Sequence, residues 1–293
     1  MRQVTIQWAV LLLAALAAGP AVAGVVASLR GPSGGAETTL LWSSTPFVGA
    51  LAGLLVLIVA GLFAGAGGLL LRGETARDTG RYAAGLIVVW AALRTGDVET
   101  LWRVDGGGAG GRVALLLLEA ALVLIPGGAI AVWLQAHGRD SAAPPGAELR
   151  RALLSRPGLA AIGAGAAAAV VVSFVLVSSP LRGQAVAGTI GAAIAGGAAA
   201  RAAAVGLGAT REPTGASALA ILAAGLACPI VSAVLPGLGG LHEAALSGTL
   251  RGPSATQGLD WLAAALIGAP IGSAWAASLL SQADEAAGTP ERA

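Results

Sequence analysis

The sequence predicts an all-α, polytopic transmembrane helix bundle, and three observations lead there. The chain of 293 residues is 56% hydrophobic and only 11% charged, whereas soluble domains carry about 25% charged residues. Its apolar residues gather into runs of about 20, the length of helix that crosses a hydrocarbon core about 30 Å thick. No period-two alternation competes with these runs. Backbone in lipid must also satisfy its own N–H and C=O groups, which a helix does within one segment.

Seven long runs stand out, at 4–28, 46–71, 113–136, 158–180, 184–208, 215–237 and 259–281. The first begins Met1-Arg2-Gln3 and passes through Ala21-Val22-Ala23, an n-region, an apolar stretch and an A-x-A site as in a secretory leader. It continues unbroken through GVVASL, however, long enough to span, so an uncleaved first helix is expected. Between the second and third runs lies a shorter segment, YAAGLIVVWAAL (82–93), flanked by Arg81 and Arg94. Twelve residues of helix reach about 18 Å, short of the core. The expectation is therefore seven long spans plus one short or re-entrant segment. A crossing by 82–93 fits the arginine distribution best, because it puts Arg72, Arg77 and Arg81 on the same side as Arg139, Arg150, Arg151 and Arg156.

The third run contains a carboxylate, Glu119, and then Pro126-Gly127-Gly128. A charge at mid-membrane costs about 2.5–3.5 kcal/mol even on the lenient insertion scale, so it is a functional candidate by default. Pro126 cannot donate to the carbonyl of Leu122, and at seven residues' spacing it shares a helix face with Glu119. Together they predict a polar notch beside a glycine pair that admits a close neighbour. After this run, GAELRRALLS (146–155) has the pattern of a short amphipathic surface helix.

The fifth run carries the second internal charge, Arg201, and a thin face of Gly188, Ala192, Gly196, Ala200, Ala204 and Gly208 suited to close helix contact. With one crossing run between their helices, Glu119 and Arg201 lie on parallel helices, offset along the axis by about 14 Å. A direct pair then needs tilt, a re-entrant bend or a water. The alternatives are separate interior partners, or snorkelling of Arg201 to the nearer interface. The sixth run holds Cys228 and Pro229, and the seventh Pro270. The tail from 282 to 293 is polar, and reads as disordered. The whole of 1–293 forms one integral membrane domain.

Several motifs are present without their context. Gly106 to Gly111 satisfies G-x-G-x-x-G, but no βαβ unit surrounds it. Gly31-Pro32-Ser33-Gly34-Gly35 matches G-x-S-x-G, and its shorter form is similar to the G-x-S-G of rhomboid-family intramembrane proteases, yet no histidine lies within a span. His242-Glu243 lacks the second histidine of H-E-x-x-H. One cysteine and two histidines allow neither a disulfide framework nor a multi-ligand zinc site. Leu29-Arg30-Gly31-Pro32-Ser33 recurs as Leu250-Arg251-Gly252-Pro253-Ser254, too short an echo to establish a repeat.

Net charge is +2 and all 17 basic residues are arginine. They are scattered, so nucleic acid is not an expected partner. With abundant Ala and Gly, an arginine-only cation set suggests a GC-rich genome and a bacterial cytoplasmic membrane. It also warns that small residues can reflect mutational bias. The expected function is non-enzymatic, with no catalytic, cofactor or metal residues. The chain reads as a structural or accessory subunit whose partners are the bilayer, other membrane subunits or further copies of itself. The alternative is a small permease or proton-coupled carrier working through a polar site at Glu119, Pro126 and Arg201.

Overall fold

The structure is a computed structural model, and it describes residues 2–32, 34, 38–71, 73–103, 109–137, 150, 154–177, 181–209, 215–234 and 237–288. Among these residues every regular element is helical. Among the described residues seven helices are long and apolar enough to cross a membrane, which makes the chain an integral membrane protein. The first is formed by α1 (Arg2–Leu13) and α2 (Gly19–Ala27), joined by a π-helical turn at Ala14–Ala18. The chain continues through α3 (Pro46–Leu70), α4 (Gly73–Ala92), the short α5 (Val98–Arg103) and α6 (Ala109–His137). After these come α7 (Arg156–Leu176), α8 (Arg182–Gly206), α9 (Ala216–Val234), the short α10 (Gly237–Leu246) and α11 (Gly258–Gly288).

The π turn has a local cause. Pro20 lacks an N–H, and the Gly19 N–H reaches back five residues to the Ala14 carbonyl, which is the π pattern. Gly19 is also where Trp90 crosses the helix; a Cβ there would sit 2.4 Å from the indole Cδ1. Val10, Ala14, Val22 and Val26 of this first span are all part of the core.

Helix α4 revises the segment expected over 82–93. It is 20 residues long, enough for about 30 Å. Its extra length comes from a charged first half that hydropathy alone does not count. There Arg81 Nη2 donates to Asp78 at 3.1 Å and Arg77 lies 3.8 Å from Glu74, while the Arg81 guanidinium stands 5.3 Å from the Tyr82 ring centroid. Pairing lets charges lie along a bundle helix at low cost. Gly80 meets Ala64 of α3, Gly85 meets Ile267 of α11, and Trp90 meets Gly19 of α2. The helix therefore runs the length of the bundle's interior, antiparallel to α3.

With α4 counted, eight rods alternate in direction. The segments 28–32, 38–45, 93–97 and 247–257 meet at one end, called here the capped end, together with α5 and α10. Helices α5 and α10 and the start of α6 form a small second core there, around Leu101, Trp102, Leu116 and Leu241. The Trp102 carbonyl near the end of α5 faces Arg112 Nη1 at 3.4 Å and His242 Nδ1 at 2.9 Å, so two basic side chains meet a helix C-terminus. His242 thus lies on a helix and is engaged by backbone.

Helix α8 is the hub, packing most extensively against α7 and α11. Of its thin face, Gly188, Ala192, Gly196, Ala200 and Ala204 are buried. Gly188 and Gly196 lie against α7, where a Cβ would meet the Leu176 and Gly165 carbonyls at 2.6 and 2.7 Å. Gly208 departs from that face. It is exposed, with φ +83. It closes the helix in a Schellman turn, in which Ala209 N–H bonds the Ala204 carbonyl at 3.1 Å and Gly208 N–H that of Val205 at 2.8 Å.

Helix α11 continues through Gly288, so 282–288 is helical and not a coil tail; Gln, Ala and Glu support helix as far as the glycine. Residues 289–293, and nearly all of the surface helix expected over 146–155, lie outside the described residues. The two Leu-Arg-Gly-Pro-Ser stretches adopt different backbones, since Gly252 has φ +59 whereas Gly31 is not left-handed.

Candidate functional site

The segment 38–45 is irregular, yet Thr38, Thr39, Leu40, Leu41 and Ser43 are buried. Non-helical backbone at membrane depth persists only where protein covers it and supplies its hydrogen bonds. Glu119 does part of that. The residue is 2% exposed, and its Oε2 accepts the Leu41 N–H at 2.9 Å. Gly49, in the first turn of α3, lets the segment in: a Cβ there would stand 1.6 Å from the Leu40 carbonyl oxygen.

Glu119 and Pro126 do share a side of α6, but not an environment. Glu119 sits at the edge of the buried arc and is covered by 38–41. Pro126 lies two turns further along, beyond that cover, and is exposed. The helix runs through Pro126 without interruption. The Gly127-Gly128 pair receives side chains, Leu262 of α11 and Leu222 of α9, each of which would lie within 3.0 Å of an added Cβ.

Arg201 lies toward the opposite end, in the second-last turn of α8. It is half-buried, and its Nε has no hydrogen-bond partner among the described residues. The parallel directions of α6 and α8 keep it away from Glu119. The three residues singled out in the sequence are therefore not brought together.

What the structure gathers around Glu119 is a different set. Arg182, the first residue of α8, forms a two-pronged ion pair with Asp260 of α11: Nη2 meets Oδ1, and Nη1 lies 3.2 Å from Oδ2. The side chains are 10% and 0% exposed. Arg182 Nη2 also donates to the Ala92 carbonyl at 3.0 Å, capping the C-terminus of α4 with a cation. Asp260, in the first turn of α11, reaches back to accept the Gln257 N–H at 2.8 Å, half of a capping box. Gln257 Nε2 donates to the Gly96 carbonyl, and the Gly96 N–H donates to the Thr38 carbonyl at 2.8 Å. Trp261 Nε1 closes the layer on Thr256 Oγ1 at 2.9 Å. Both Asp260 and Arg182 lie within electrostatic reach of Glu119.

This layer ties the ends of α4, α8 and α11 to the buried segment 38–41. Its main pair is inconspicuous in the sequence because Arg182 and Asp260 stand at the edges of their apolar runs, where charge is ordinary. The available signal is parity: both positions open helices that start from the same end. Cys228 is buried, and the described residues hold no group of three or more Asp, Glu, His or Cys side chains that could hold a metal. Ser33 and residues 104–108 of the glycine-rich stretch lie outside the described residues.

The arrangement makes Glu119 an acceptor first. Glu119→Gln, which keeps a carbonyl oxygen for Leu41, is expected to leave thermal unfolding in detergent within about 1 kcal/mol of the parent. Glu119→Ala orphans a buried N–H and is expected to cost about 1–3 kcal/mol. Equal losses in the two variants would show that the charge, not the acceptor, is what matters.

No protein-family model matches the chain, and no curated protein or solved structure matches it.

Proposed function

We propose that this chain is a non-enzymatic structural or accessory subunit of a membrane complex, seated in a bacterial cytoplasmic membrane. One observation carries the reading. The buried charges near the capped end are engaged within the fold: Glu119 by the Leu41 N–H, and Arg182 and Asp260 by each other and by two helix ends. A group that must bind and release a substrate needs an unsatisfied state to offer, and these have partners in place. The large apolar side chains that remain exposed, such as Phe47, Leu62, Val175 and Trp275, suit lipid, another subunit or a second copy. The connections following α3, α6 and α8 carry Arg72, Arg139, Arg150, Arg151 and Arg211. The positive-inside bias then puts that end in the cytoplasm and the capped end outside.

A second reading, a small proton- or cation-coupled carrier, draws on Gln257 Oε1. That atom is buried without a hydrogen-bond partner among the described residues, on a residue bonded to Asp260, whose charge reaches Glu119. Reconstitution into vesicles loaded with a pH-sensitive dye separates the two. The scaffold reading expects proton and cation flux no greater than in empty vesicles, for both the parent and Glu119→Gln. Flux in the parent that Glu119→Gln abolishes while the fold is retained would replace the scaffold with the carrier.

A further inference from the structure

At the capped end, next to the polar layer, whose Thr256 hydroxyl donates to the Pro253 carbonyl at 2.9 Å, a cavity of about 230 Å³ opens between the ends of α7 and α9, helix α10 and the turn at 249–254. Its walls are mainly apolar, with Phe174, Val231, Leu241, Leu250 and Pro253 among them, and Arg251 stands in its lining. A closed apolar cavity of about 150 Å³ stays dry and accepts a small hydrocarbon, so a pocket of this size and lining suits an apolar tail. Its depth is set by its walls. Phe174 and Val231 lie in the last turns of α7 and α9, within about 5 Å of the helix ends. That is where hydrocarbon gives way to headgroups. Phe174 in its wall is itself 39% exposed, and Val175, Val234 and Ile230 on the same helix ends are 74%, 72% and 51% exposed, so the cavity adjoins the lipid-facing surface.

Arg251 supplies the polar half. It is exposed, and no carboxylate pairs with it among the described residues. Its backbone is held firmly: the Gly252 N–H donates to the Val177 carbonyl at 2.7 Å and Ser254 Oγ to the Arg251 carbonyl at 2.7 Å. Gly252, at φ +59, is pressed against Phe174, which an added Cβ would meet at 2.7 Å. The turn thus fixes the backbone of an arginine that lines an apolar pocket and has no carboxylate partner among the described residues, and its side chain can reach headgroup height. We infer that this cavity is a seat for an anionic phospholipid, with part of one acyl chain inside and the phosphate against Arg251. The inference does not depend on the scaffold reading.

Native mass spectrometry of the full chain in mild detergent tests it, with phosphatidylglycerol, phosphatidylcholine and inorganic phosphate as probes. The expected result is one retained phosphatidylglycerol per chain, phosphatidylcholine about fivefold weaker, and no displacement by millimolar phosphate. Arg251→Gln should erase that preference, a loss of about fivefold, the worth of one arginine beside an anionic headgroup. Ala244 of α10 also lines the cavity, and Ala244→Phe should plug it and abolish retention of both lipids. If that variant does not fold, Thr249→Trp at the exposed rim serves the same purpose. Equal retention of the two lipids by the parent, an unchanged preference in Arg251→Gln, or lipid surviving in a folded plugged variant would overturn the proposal. So would displacement by phosphate, which would mark a site for the free anion.

Discussion

Asp260→Ala is expected to destabilise the protein by about 3–5 kcal/mol, the cost of leaving one member of a buried ion pair without the other. The geometry explains why the figure belongs at the high end for a single substitution. Asp260 is fully buried and Arg182 nearly so, so water cannot replace the lost carboxylate. The same carboxylate also accepts the Gln257 N–H at the start of α11, so the helix loses its cap along with its partner. Arg182→Ala should cost a similar amount by a different route. It bares Asp260 and takes the cation from the Ala92 carbonyl, which keeps only the Thr95 hydroxyl at 2.8 Å. The informative double variant is Arg182→Met with Asp260→Leu, which removes both charges and keeps volume. It should be less destabilised than either single alanine variant, because the desolvation of two ions disappears with them. Thermal unfolding in one detergent of the parent, Arg182→Met, Asp260→Leu and their double variant, read as a double-mutant cycle, should give a coupling of at least about 1 kcal/mol. Additive losses would mean that the two side chains act separately and that the layer does not tie the helix ends together.

That prediction cannot be drawn from the sequence, and the reason is physical. Hydropathy reports how long an apolar segment is, so all seven long spans are legible to within a few residues at most ends. It fails where polarity is compensated by pairing. Hydropathy shortens α4 to 82–93 because Glu74, Arg77, Asp78 and Arg81 dilute the window, although they pair along its first turns. The polar layer is hidden for a related reason: its members lie at helix ends, where an isolated charge is commonplace, and only the fold shows that three ends and a buried segment converge. Glu119 is legible because a carboxylate deep in an apolar run has no ordinary explanation. Its partner is not, since a backbone N–H in a distant irregular segment leaves no trace in residue identity. Pro126 and Arg201 stand out by the same logic, but the structure puts one on the exposed side of α6 and the other near the far end of α8.

The small residues raise the complementary problem, because an Ala/Gly-rich composition makes every four-residue repeat look like a packing face. Space around each glycine separates the two cases. At the α8–α11 seam, a Cβ on Gly272 would lie 1.9 Å from the Ile194 carbonyl oxygen, one on Gly197 2.2 Å from that of Ala269, and one on Gly268 2.5 Å from that of Ile190. These obstacles are backbone, so no rotamer change relieves them; the helices must part. At Gly163 of α7 and Gly65 of α3 nothing lies within 4 Å of an added Cβ. Gly272→Ala is therefore expected to lose about 1–3 kcal/mol through overpacking. Gly163→Ala and Gly65→Ala should instead be neutral or gain up to about 1 kcal/mol from reduced backbone freedom. Thermal unfolding of the three variants decides the matter. If Gly272→Ala melts with Gly163→Ala, the seam tolerates separation and glycine there reflects composition alone. If it falls well below, the close backbone contact between α8 and α11, the two helices that carry Arg182 and Asp260, is what glycine at the seam maintains.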